Sequence, residues 1–282
     1  MKNKRTLTII TPVFNEEDCI KDFFSRVENL CKDKIKNYNI DLLFLNNSSE
    51  DESLKIIKSL KSSKVNIKYI TYSKNIGYQA SLTGGLSLAK TDLYFIVDVD
   101  CEDPPEMLEE FLENYENGFK IVYGKRVDRH EFYPIKLLRK LYYRLVHFIS
   151  DHDFIVDSAE FSLFDNDVKE IILSNKSNSP FIRAELGFAG FKRKGIEYKR
   201  DIRIAGKSKY FITSPTFVIA SIISTTSFPL RLVAYTNSLI FLYAILSFFM
   251  QSLSINIKFL LITFMLELGI ISVYIARIYK NQ

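Results

Sequence analysis

The chain has few cysteines and lacks two common sequence signals. Its 282 residues include only Cys19, Cys31 and Cys101, which have no metal-ligand spacing and no obvious pairing. We therefore expect them to be small core residues of a protein from a reducing compartment. No Gly-x-Gly-x-x-Gly follows the first predicted strand, which argues against a dinucleotide-binding fingerprint. Because no apolar run of roughly 7 to 15 residues follows the first six, we also expect no secretory signal.

The chain also lacks a strong excess of either charge. It contains 38 Lys and Arg against 33 Asp and Glu, a net charge of +5. A general nucleic-acid binder would need a basic face, so we expect no nucleic-acid partner. A hydrophobic content of 47% excludes a disordered protein. The length fits one α/β domain of about 200 residues with a smaller part beside it.

Strand and helix patterns alternate over residues 1–125. The predicted strands are Leu7–Ile10, Ile40–Leu45, Val65–Ile70, Leu93–Asp98 and Ile121–Tyr123. The predicted helices are Ile20–Cys31, Ser53–Ser62, Tyr78–Ala89 and Pro105–Asn117. This alternation predicts a mostly parallel sheet with right-handed crossovers.

Four acids lie within six residues at the end of the fourth predicted strand: Asp98, Asp100, Glu102 and Asp103. In open α/β sheets, ligands bind at the carboxyl ends of the strands. Clustered carboxylates attract a divalent cation, which in turn attracts a phosphate. The alternative is a solvated acidic loop before a helix that starts at Pro-Pro.

Two segments of the second half have unusual charge patterns. Residues 133–149 predict a basic amphipathic helix, suited to an anionic membrane or an anionic ligand, or else an ordinary surface helix. Residues 210–230 contain no Asp, Glu, Lys or Arg and are bracketed by prolines near their ends. We expect that stretch to be an interfacial segment and not a membrane span.

Two long apolar runs follow. Leu232–Met250 and Ile257–Ile278 are each long enough to cross a hydrocarbon core of about 30 Å, and they predict a transmembrane hairpin. Arg231 and the cations near the second run would then place the catalytic part and both termini in the cytoplasm. As an intramembrane acid, Glu267 would face the partner helix or another subunit, so homo-oligomerisation through these helices is a further expectation. A buried helical pair is the alternative.

Seven segments in order resemble those of the family 2 glycosyltransferases. They are Thr11–Glu17 (TPVFNEE), Leu45–Ser53 (LNNSSEDES), Ser73–Ala80 (SKNIGYQA), Val97–Glu106 (VDVDCEDPPE), Val122–Arg126 (VYGKR), Ile204–Tyr210 (IAGKSKY) and Ser227–Arg231 (SFPLR). Their order and spacing, with the terminal hairpin, are similar to those of polyprenyl-phosphate glycosyltransferases, namely bactoprenol glucosyltransferases and dolichol-phosphate mannose synthases.

The resemblance implies an α/β fold of the GT-A, Rossmann-like type, with a mixed, mostly parallel sheet, a C-terminal amphipathic helix and a two-helix transmembrane hairpin. It implies inverting transfer of one sugar from a nucleotide sugar to polyprenyl (undecaprenyl) phosphate, for cell-envelope glycan modification. UDP-glucose is the first expectation for the donor, with UDP against GDP left open. Residues 1–209 would form the cytoplasmic catalytic domain, 210–230 a juxtamembrane segment and 231–282 the hairpin of a multi-pass inner-membrane protein.

The resemblance also assigns roles to residues. The donor would bind Pro12, Phe14, Asn15, Glu17, Asn47, Asp98 and Arg126. Phosphate groups would bind Arg126, Arg203, Lys207 and Lys209. Asp100 and Glu102 would bind Mg²⁺ or Mn²⁺, which offsets charge on the departing nucleoside diphosphate. The catalytic residues would be Asp98, Asp100 and Glu160.

The acceptor motif departs from the family pattern. Glu160 stands where the family has Asp, and Ser162 stands where it has Arg, while Asp157 and Glu185 are rival carboxylates. An anionic lipid phosphate needs no deprotonation, so Glu160 would position the acceptor and not act as a base. The missing Arg favours a second interpretation, transfer to a hydroxyl of a lipid-linked or surface glycan. A third is a non-catalytic membrane partner of another glycosyltransferase.

Overall fold

The computed structural model describes residues 4–33, 35–127, 158–174, 182–203, 205, 226–250 and 257–280. These residues fall into two compact units. The first contains a seven-stranded sheet with helices packed on it, and the second contains two long helices. The helix predicted over 133–149, most of the segment 210–230, and Asp157, Lys207 and Lys209 lie outside the described residues.

The first unit alternates strands and helices, as the apolar periodicity predicts. Its strands are β1 (Arg5–Val13), β2 (Tyr38–Asn46), β3 (Asn66–Thr71), β4 (Leu93–Ile96), β5 (Ile121–Val127), β6 (Ser158–Asp165) and β7 (Arg193–Lys199). Its helices are α1 (Ile20–Asp33), α2 (Ser53–Ser59), α3 (Tyr78–Leu88), α4 (Leu108–Glu116, after a 3₁₀ turn over Pro105–Met107), α5 (Asn166–Ser174) and α6 (Ile182–Phe188). The strands and helices predicted up to residue 125 are therefore confirmed, with ends shifted by a few residues.

The sheet is mixed and mostly parallel, as predicted. Its order is β3-β2-β1-β4-β6-β5-β7. Only β6 among these strands runs antiparallel to its neighbours, β4 and β5. All the other pairings are parallel. The carboxyl ends of β1, β2, β4, β5 and β7 and the amino end of β6 therefore share one edge.

Two apolar layers hold the sheet between helices. On one face Phe95 of β4 packs against Phe111 of α4 and Phe161 of β6, with ring centroids 5.8 and 5.3 Å apart. On the other face Tyr94 stacks on Phe164, with α3, α5 and α6 covering them. Because successive residues of a strand point to opposite faces, the run of apolar residues in β4 fills both layers. This double burial fixes the position of the loop that follows β4.

The second unit consists of α7 (Phe228–Met250) and α8 (Ile257–Lys280). Glu267 of α8 is buried and accepts hydrogen bonds from Thr236 Oγ1 (2.6 Å) and Asn237 Nδ2 (2.9 Å) of α7. The Tyr274 hydroxyl donates to the Thr226 carbonyl at 2.8 Å. Glu267 therefore faces the partner helix, and the hydrogen bonds pin the two helices together.

The expected transmembrane hairpin is not supported, and the expected multi-pass location in the inner membrane is wrong. In the described parts of the chain, no helix combines the length and the apolar character needed to cross a membrane. Both apolar runs contain polar side chains in mid-helix, where Thr236 and Asn237 of α7 donate to Glu267 of α8. Homo-oligomerisation through these helices stays a prediction.

Candidate active site

Three loops meet at the sheet edge where β1, β2 and β4 end, and each contains a residue in the left-handed region. The φ angles are 55° at Asn15, 61° at Ser48 and 58° at Cys101. Among the described residues, no other non-glycine residue has a positive φ. Such backbone costs up to about 1–3 kcal/mol per residue and persists where the surroundings hold it, often at functional sites.

The loops after β1 and β2 are bonded to each other. The Asn15 N–H donates to Ser49 Oγ (3.0 Å), and the Glu50 N–H donates to Asn15 Oδ1 (2.7 Å). The Glu52 N–H donates to Glu17 Oε2 at 2.8 Å. Asn15 and Glu17, two of the predicted donor-pocket residues, therefore hold the neighbouring loop in place.

Asn47 begins the loop after β2 and is 5% exposed. Both the nitrogen and the oxygen of its side-chain amide form hydrogen bonds. Its Nδ2 donates to Asn75 Oδ1 (2.9 Å), and its Oδ1 accepts from the Ile76 N–H (2.9 Å). An Asp at this position could accept the second bond but could not donate the first. The amide therefore ties the β2 edge to the segment that leads into α3.

Asp98 lies just beyond β4 and is bonded to the start of α3. The Tyr78 hydroxyl donates to Asp98 Oδ1 at 2.7 Å. Burial raises the pKa of Asp98 to about 7, and the charges of Asp100 and Asp103 add to this effect. Burial and the charges of Asp98 and Glu160 also raise the pKa of Tyr78, so its hydroxyl remains a proton donor. The electrostatics of this edge favour a cation among the carboxylates.

Asp100 and Glu102, the predicted metal ligands, are each paired with an arginine that follows β7. Arg203 Nη1 donates to Asp100 Oδ2 at 2.9 Å, and Arg200 Nη1 lies 2.5 Å from Glu102 Oε2. Arg203 also pairs with Glu16 in the loop after β1. We call residues 200–203 the arginine strap. The strap joins the end of β7 to the acidic loop after β4 and to the loop after β1.

Asp103 anchors the base of the acidic loop and is 1% exposed. It accepts from the Tyr198 hydroxyl (2.5 Å) and from Arg126 Nη2 (2.7 Å), and Arg200 Nε lies 3.4 Å away. Burial alone would lower the pKa of Arg126, but the Asp103 carboxylate raises it, so the guanidinium stays charged. Arg126 is thereby fixed beside the acidic loop.

Glu160 lies in β6, which pairs with β4 on the side away from β1. The β4–β6 register, continued two residues past its last pair, places Glu160 level with Asp98. Gln79 Nε2 donates to Glu160 Oε1 (2.9 Å), and Arg183 Nη2 donates to Oε2 (2.7 Å). Burial alone would raise the pKa of Glu160, but Arg183 outweighs it and holds the pKa below its ordinary value. The carboxylate is therefore ionised and oriented.

This arrangement lies inside the part of the sequence that matches a known family. Residues 8–175, more than half of the chain, match the family described as "Glycosyl transferase family 2". The chain belongs to this family. The matched range contains most of β1, all of β2 to β6 and the acidic loop of this glycosyltransferase.

Curated relatives match the glycosyltransferase over nearly its whole length. The uncharacterized glycosyltransferase YkcC of Bacillus subtilis (strain 168) is 31% identical, over 97% of this chain and 90% of its own length. The prophage bactoprenol glucosyl transferase homolog of Escherichia coli (strain K12) is 30% identical, over 97% of this chain and 94% of its own. The bactoprenol glucosyl transferase of Shigella phage SfII is 29% identical, over 98% and 95%.

Solved structures share the fold of this glycosyltransferase. Glucosyl-3-phosphoglycerate synthase from Mycobacterium tuberculosis, in complex with Mn²⁺, UDP-glucose and phosphoglyceric acid, has a TM-score of 0.54 at 15% identity, over 79% of this chain and 80% of that one. S. aureus TarS in complex with UDP-GlcNAc has a TM-score of 0.50 at 11% identity, over 78% and 66%. The predicted GT-A-type fold is therefore confirmed for the sheet and its helices.

The carboxylates of the acidic loop fit a metal ion only together with further ligands. Within the described ranges, no three His, Cys, Asp or Glu side chains are grouped so as to hold a metal ion. Asp100 and Glu102 supply two carboxylates, both paired with arginines. Mg²⁺ is usually bound through one or two carboxylates plus substrate phosphates. The loop therefore suits a cation that arrives with a diphosphate and is not a cage for a bare ion.

The structure brings most of the predicted site residues to this one edge. They are Pro12, Phe14, Asn15, Glu17, Asn47, Asp98, Asp100, Glu102, Arg126, Glu160 and Arg203. The rival carboxylate Glu185 is buried in α6.

Sequence reasoning missed four further side chains of this edge: Tyr78, Gln79, Arg183 and Arg200. The segment Ser73–Ala80, which resembles a family segment, is the signal that points to the first two. The two arginines carry no comparable local signal, because their partners lie in distant segments.

Proposed function

We propose that this glycosyltransferase transfers one glucose from UDP-glucose to the phosphate of a polyprenyl lipid such as undecaprenyl phosphate. Relatives named bactoprenol glucosyl transferase, at about 30% identity over nearly the full length, support both the sugar and the acceptor. The observation that carries the proposal is the composition of one sheet edge. There, the consecutive residues Tyr78 and Gln79 donate to Asp98 and Glu160, and Arg183 holds Glu160 ionised.

The donor diphosphate would lie beside the acidic loop. Asp100 and Glu102 would hold Mg²⁺ or Mn²⁺ together with the diphosphate, and the bound cation would offset charge on the departing nucleoside diphosphate. Arg126 and Arg203, two fixed guanidiniums at the same edge, suit the remaining phosphate charge.

The base and ribose would lie over the interlocked loops after β1 and β2. Asn15 and Glu17 hold those loops together, and Asn47 joins them to the start of α3. A pocket with walls fixed by hydrogen bonds binds its ligand with little loss of entropy. These contacts support a rigid nucleotide pocket.

A single displacement would account for inversion at the anomeric carbon. A phosphate oxygen of the acceptor forms the bond to that carbon while the bond from carbon to the diphosphate breaks, and the electron pair leaves with UDP. The attacking oxygen is already anionic, so no base is needed. The lowered pKa of Glu160 supports this acceptor, because a carboxylate held by Arg183 is a weak base for a sugar hydroxyl.

Product analysis tests the proposal. The purified full-length protein in detergent, given Mn²⁺, UDP-glucose and undecaprenyl phosphate, is expected to release UDP and form a lipid-monophosphate-linked glucose, detected by mass spectrometry. Parallel reactions with GDP-sugars and other UDP-sugars identify the donor. Transfer only to a preformed glycolipid would contradict the acceptor, and no turnover of any donor would contradict the reaction.

Asp100→Asn is expected to lower turnover by at least about 100-fold, more than the loss typical of residues that only support a ligand. The reason is that the amide carries no charge to hold the cation. Asp22→Asn, which changes an exposed carboxyl on α1, is the matched control and should leave turnover unchanged. Near-normal activity of Asp100→Asn would remove Asp100 from the site.

A further inference from the structure

A partly buried ion pair joins three elements on the β6 side of the edge. Arg183 of α6 donates to Glu160 Oε2 of β6 at 2.7 Å, and Gln79 of α3 donates to Oε1 at 2.9 Å. Gln79 Oε1 also accepts from the Ile182 N–H at 3.1 Å. One amide therefore connects the Glu160 carboxylate with the start of α6, the helix that carries Arg183.

The pair lies beside the reacting region and is not sealed in the core. The side chains of Arg183 and Glu160 are 18% and 13% exposed. Tyr78 and Gln79, consecutive residues at the start of α3, donate to Asp98 and Glu160 respectively, so the two carboxylates lie close to the same turn of helix. A group that approaches Asp98 from this side meets the ion pair.

An anionic acceptor would meet two carboxylates here, Asp98 and Glu160, and like charges at close range repel. Arg126 and Arg203 lie on the other side, where they bond to carboxylates of the acidic loop and of the loop after β1 and suit the donor phosphates. The Arg183 guanidinium is bonded on the β6 side, and its planar fork suits phosphate as well as carboxylate.

We propose that Arg183 positions the acceptor: it holds Glu160 in place and supplies the positive charge beside which a phosphate monoester binds. The inference rests on the proposed function, since it takes a lipid phosphate as the acceptor. It also explains why β6 can have Ser162, which is fully buried, at the position where the family has Arg. Because the guanidinium reaches Glu160 from α6, the strand needs no arginine of its own there.

The test measures binding of farnesyl phosphate, a short polyprenyl phosphate, to the full-length protein in detergent, with farnesol as the uncharged probe. Arg183→Gln is expected to weaken farnesyl phosphate binding about 10- to 100-fold, the effect of losing one charged hydrogen-bonding partner. Binding of farnesol, and of UDP with Mn²⁺, should stay within about twofold of the wild type, because neither depends on the acceptor phosphate. The affinity of Arg183→Lys for farnesyl phosphate should lie between those of the wild type and Arg183→Gln, since lysine keeps the charge and loses the planar fork.

Arg5→Gln is the matched control. Arg5 is exposed, begins β1 at the end of the sheet away from the acidic loop, and lies over the ring of Tyr115 in α4, so its loss should not change binding of farnesyl phosphate. Unchanged binding in Arg183→Gln would overturn the inference and leave the proposed function standing. A wild type that binds farnesyl phosphate no better than farnesol would overturn both.

Glu160→Gln provides a second measurement if Arg183→Gln does not fold. It keeps a side-chain oxygen for Arg183 but removes the negative charge that opposes the phosphate. Farnesyl phosphate should therefore bind several times more tightly to this variant, although turnover falls. Weaker binding of the phosphate would overturn the inference, because the loss of a repelling charge beside Arg183 cannot weaken a phosphate held by that residue.

Discussion

The side-chain amide of Asn47 does something that a carboxylate cannot do. The family that the chain resembles usually has Asp there, yet Asn47 donates to Asn75 Oδ1, which also accepts from the Gly77 N–H at 2.9 Å. With Asp at position 47, Asn75 would have to turn its amide to donate, and Gly77 would then lose its acceptor. The departure from the family is therefore matched by the loop that it faces.

Asn47→Asp is accordingly expected to lower the free energy of unfolding by about 1–2 kcal/mol, the cost of one buried hydrogen bond. The measurement is denaturant unfolding of the full-length protein at neutral pH. Asn39→Asp, an exposed substitution in β2, is the control and should have little effect. If Asn47→Asp were as stable as the wild type, the bond to Asn75 would contribute nothing to folding.

The acidic residues of the site could be predicted because their position is a local property. A buried strand followed at once by Asp98, Asp100 and Glu102 delivers carboxylates to a sheet edge whatever the rest of the chain does. Arg183 and Arg200 could not be predicted in the same way. Their partners are separated from them by several strands and helices, and only the sheet order brings them together.

At the scale of elements, β6 and β7 show where sequence reasoning stops. The strands up to β5 are mostly apolar and alternate with amphipathic helices, so both can be recognised from the apolar periodicity of the sequence. β7 reads Arg-Lys-Gly-Ile-Glu-Tyr-Lys, and only Ile196 and Tyr198 of it are buried, because it is an edge strand. The antiparallel insertion of β6 between β4 and β5 is set by long-range pairing, which periodicity does not report.

The arginine strap would compete with a bound cation for the same carboxylates. Arg203 and Arg200 neutralise Asp100 and Glu102 from one short segment. A carboxylate oxygen held by a guanidinium is a poorer ligand for a metal ion, so a cation bound at Asp100 and Glu102 would weaken these ion pairs. The diphosphate of a donor offers the displaced guanidiniums new partners. Metal and nucleotide should therefore bind cooperatively.

Arg203→Gln separates the competition of Arg203 with the cation from its binding of the donor diphosphate. Without nucleotide, Mn²⁺ should bind about three- to tenfold more tightly than to the wild type, because one competing ion pair is gone. UDP in the presence of Mn²⁺ should bind more weakly, because one phosphate partner is gone. Electron paramagnetic resonance of free Mn²⁺ and calorimetry with UDP measure these affinities, with Arg5→Gln as the control. Weaker binding of Mn²⁺ alone would show that Arg203 does not compete with the cation.

At the scale of the whole molecule, α7 and α8 are not the membrane-spanning hairpin that two long apolar runs predict, since no helix among the described residues meets the length and apolarity that a span requires. Glu267 forms a hydrogen-bonded cluster with Thr236 and Asn237 between the two helices. Large apolar side chains are exposed along both helices, among them Phe241 (68%) and Met265 (67%). We therefore expect the cluster to hold this pair of helices in register.

Glu267→Ala tests that conclusion. It removes the acceptor of two hydrogen bonds between α7 and α8, so amide hydrogen exchange in both helices should accelerate by about tenfold or more. Exchange in β1, β2 and β4 should not change, because those strands belong to the other unit. Leu266→Ala is the control, since this neighbouring side chain is 65% exposed and its loss should leave exchange nearly as it was. Acceleration in Leu266→Ala but not in Glu267→Ala would mean that apolar contacts, and not the carboxylate, hold the helices together.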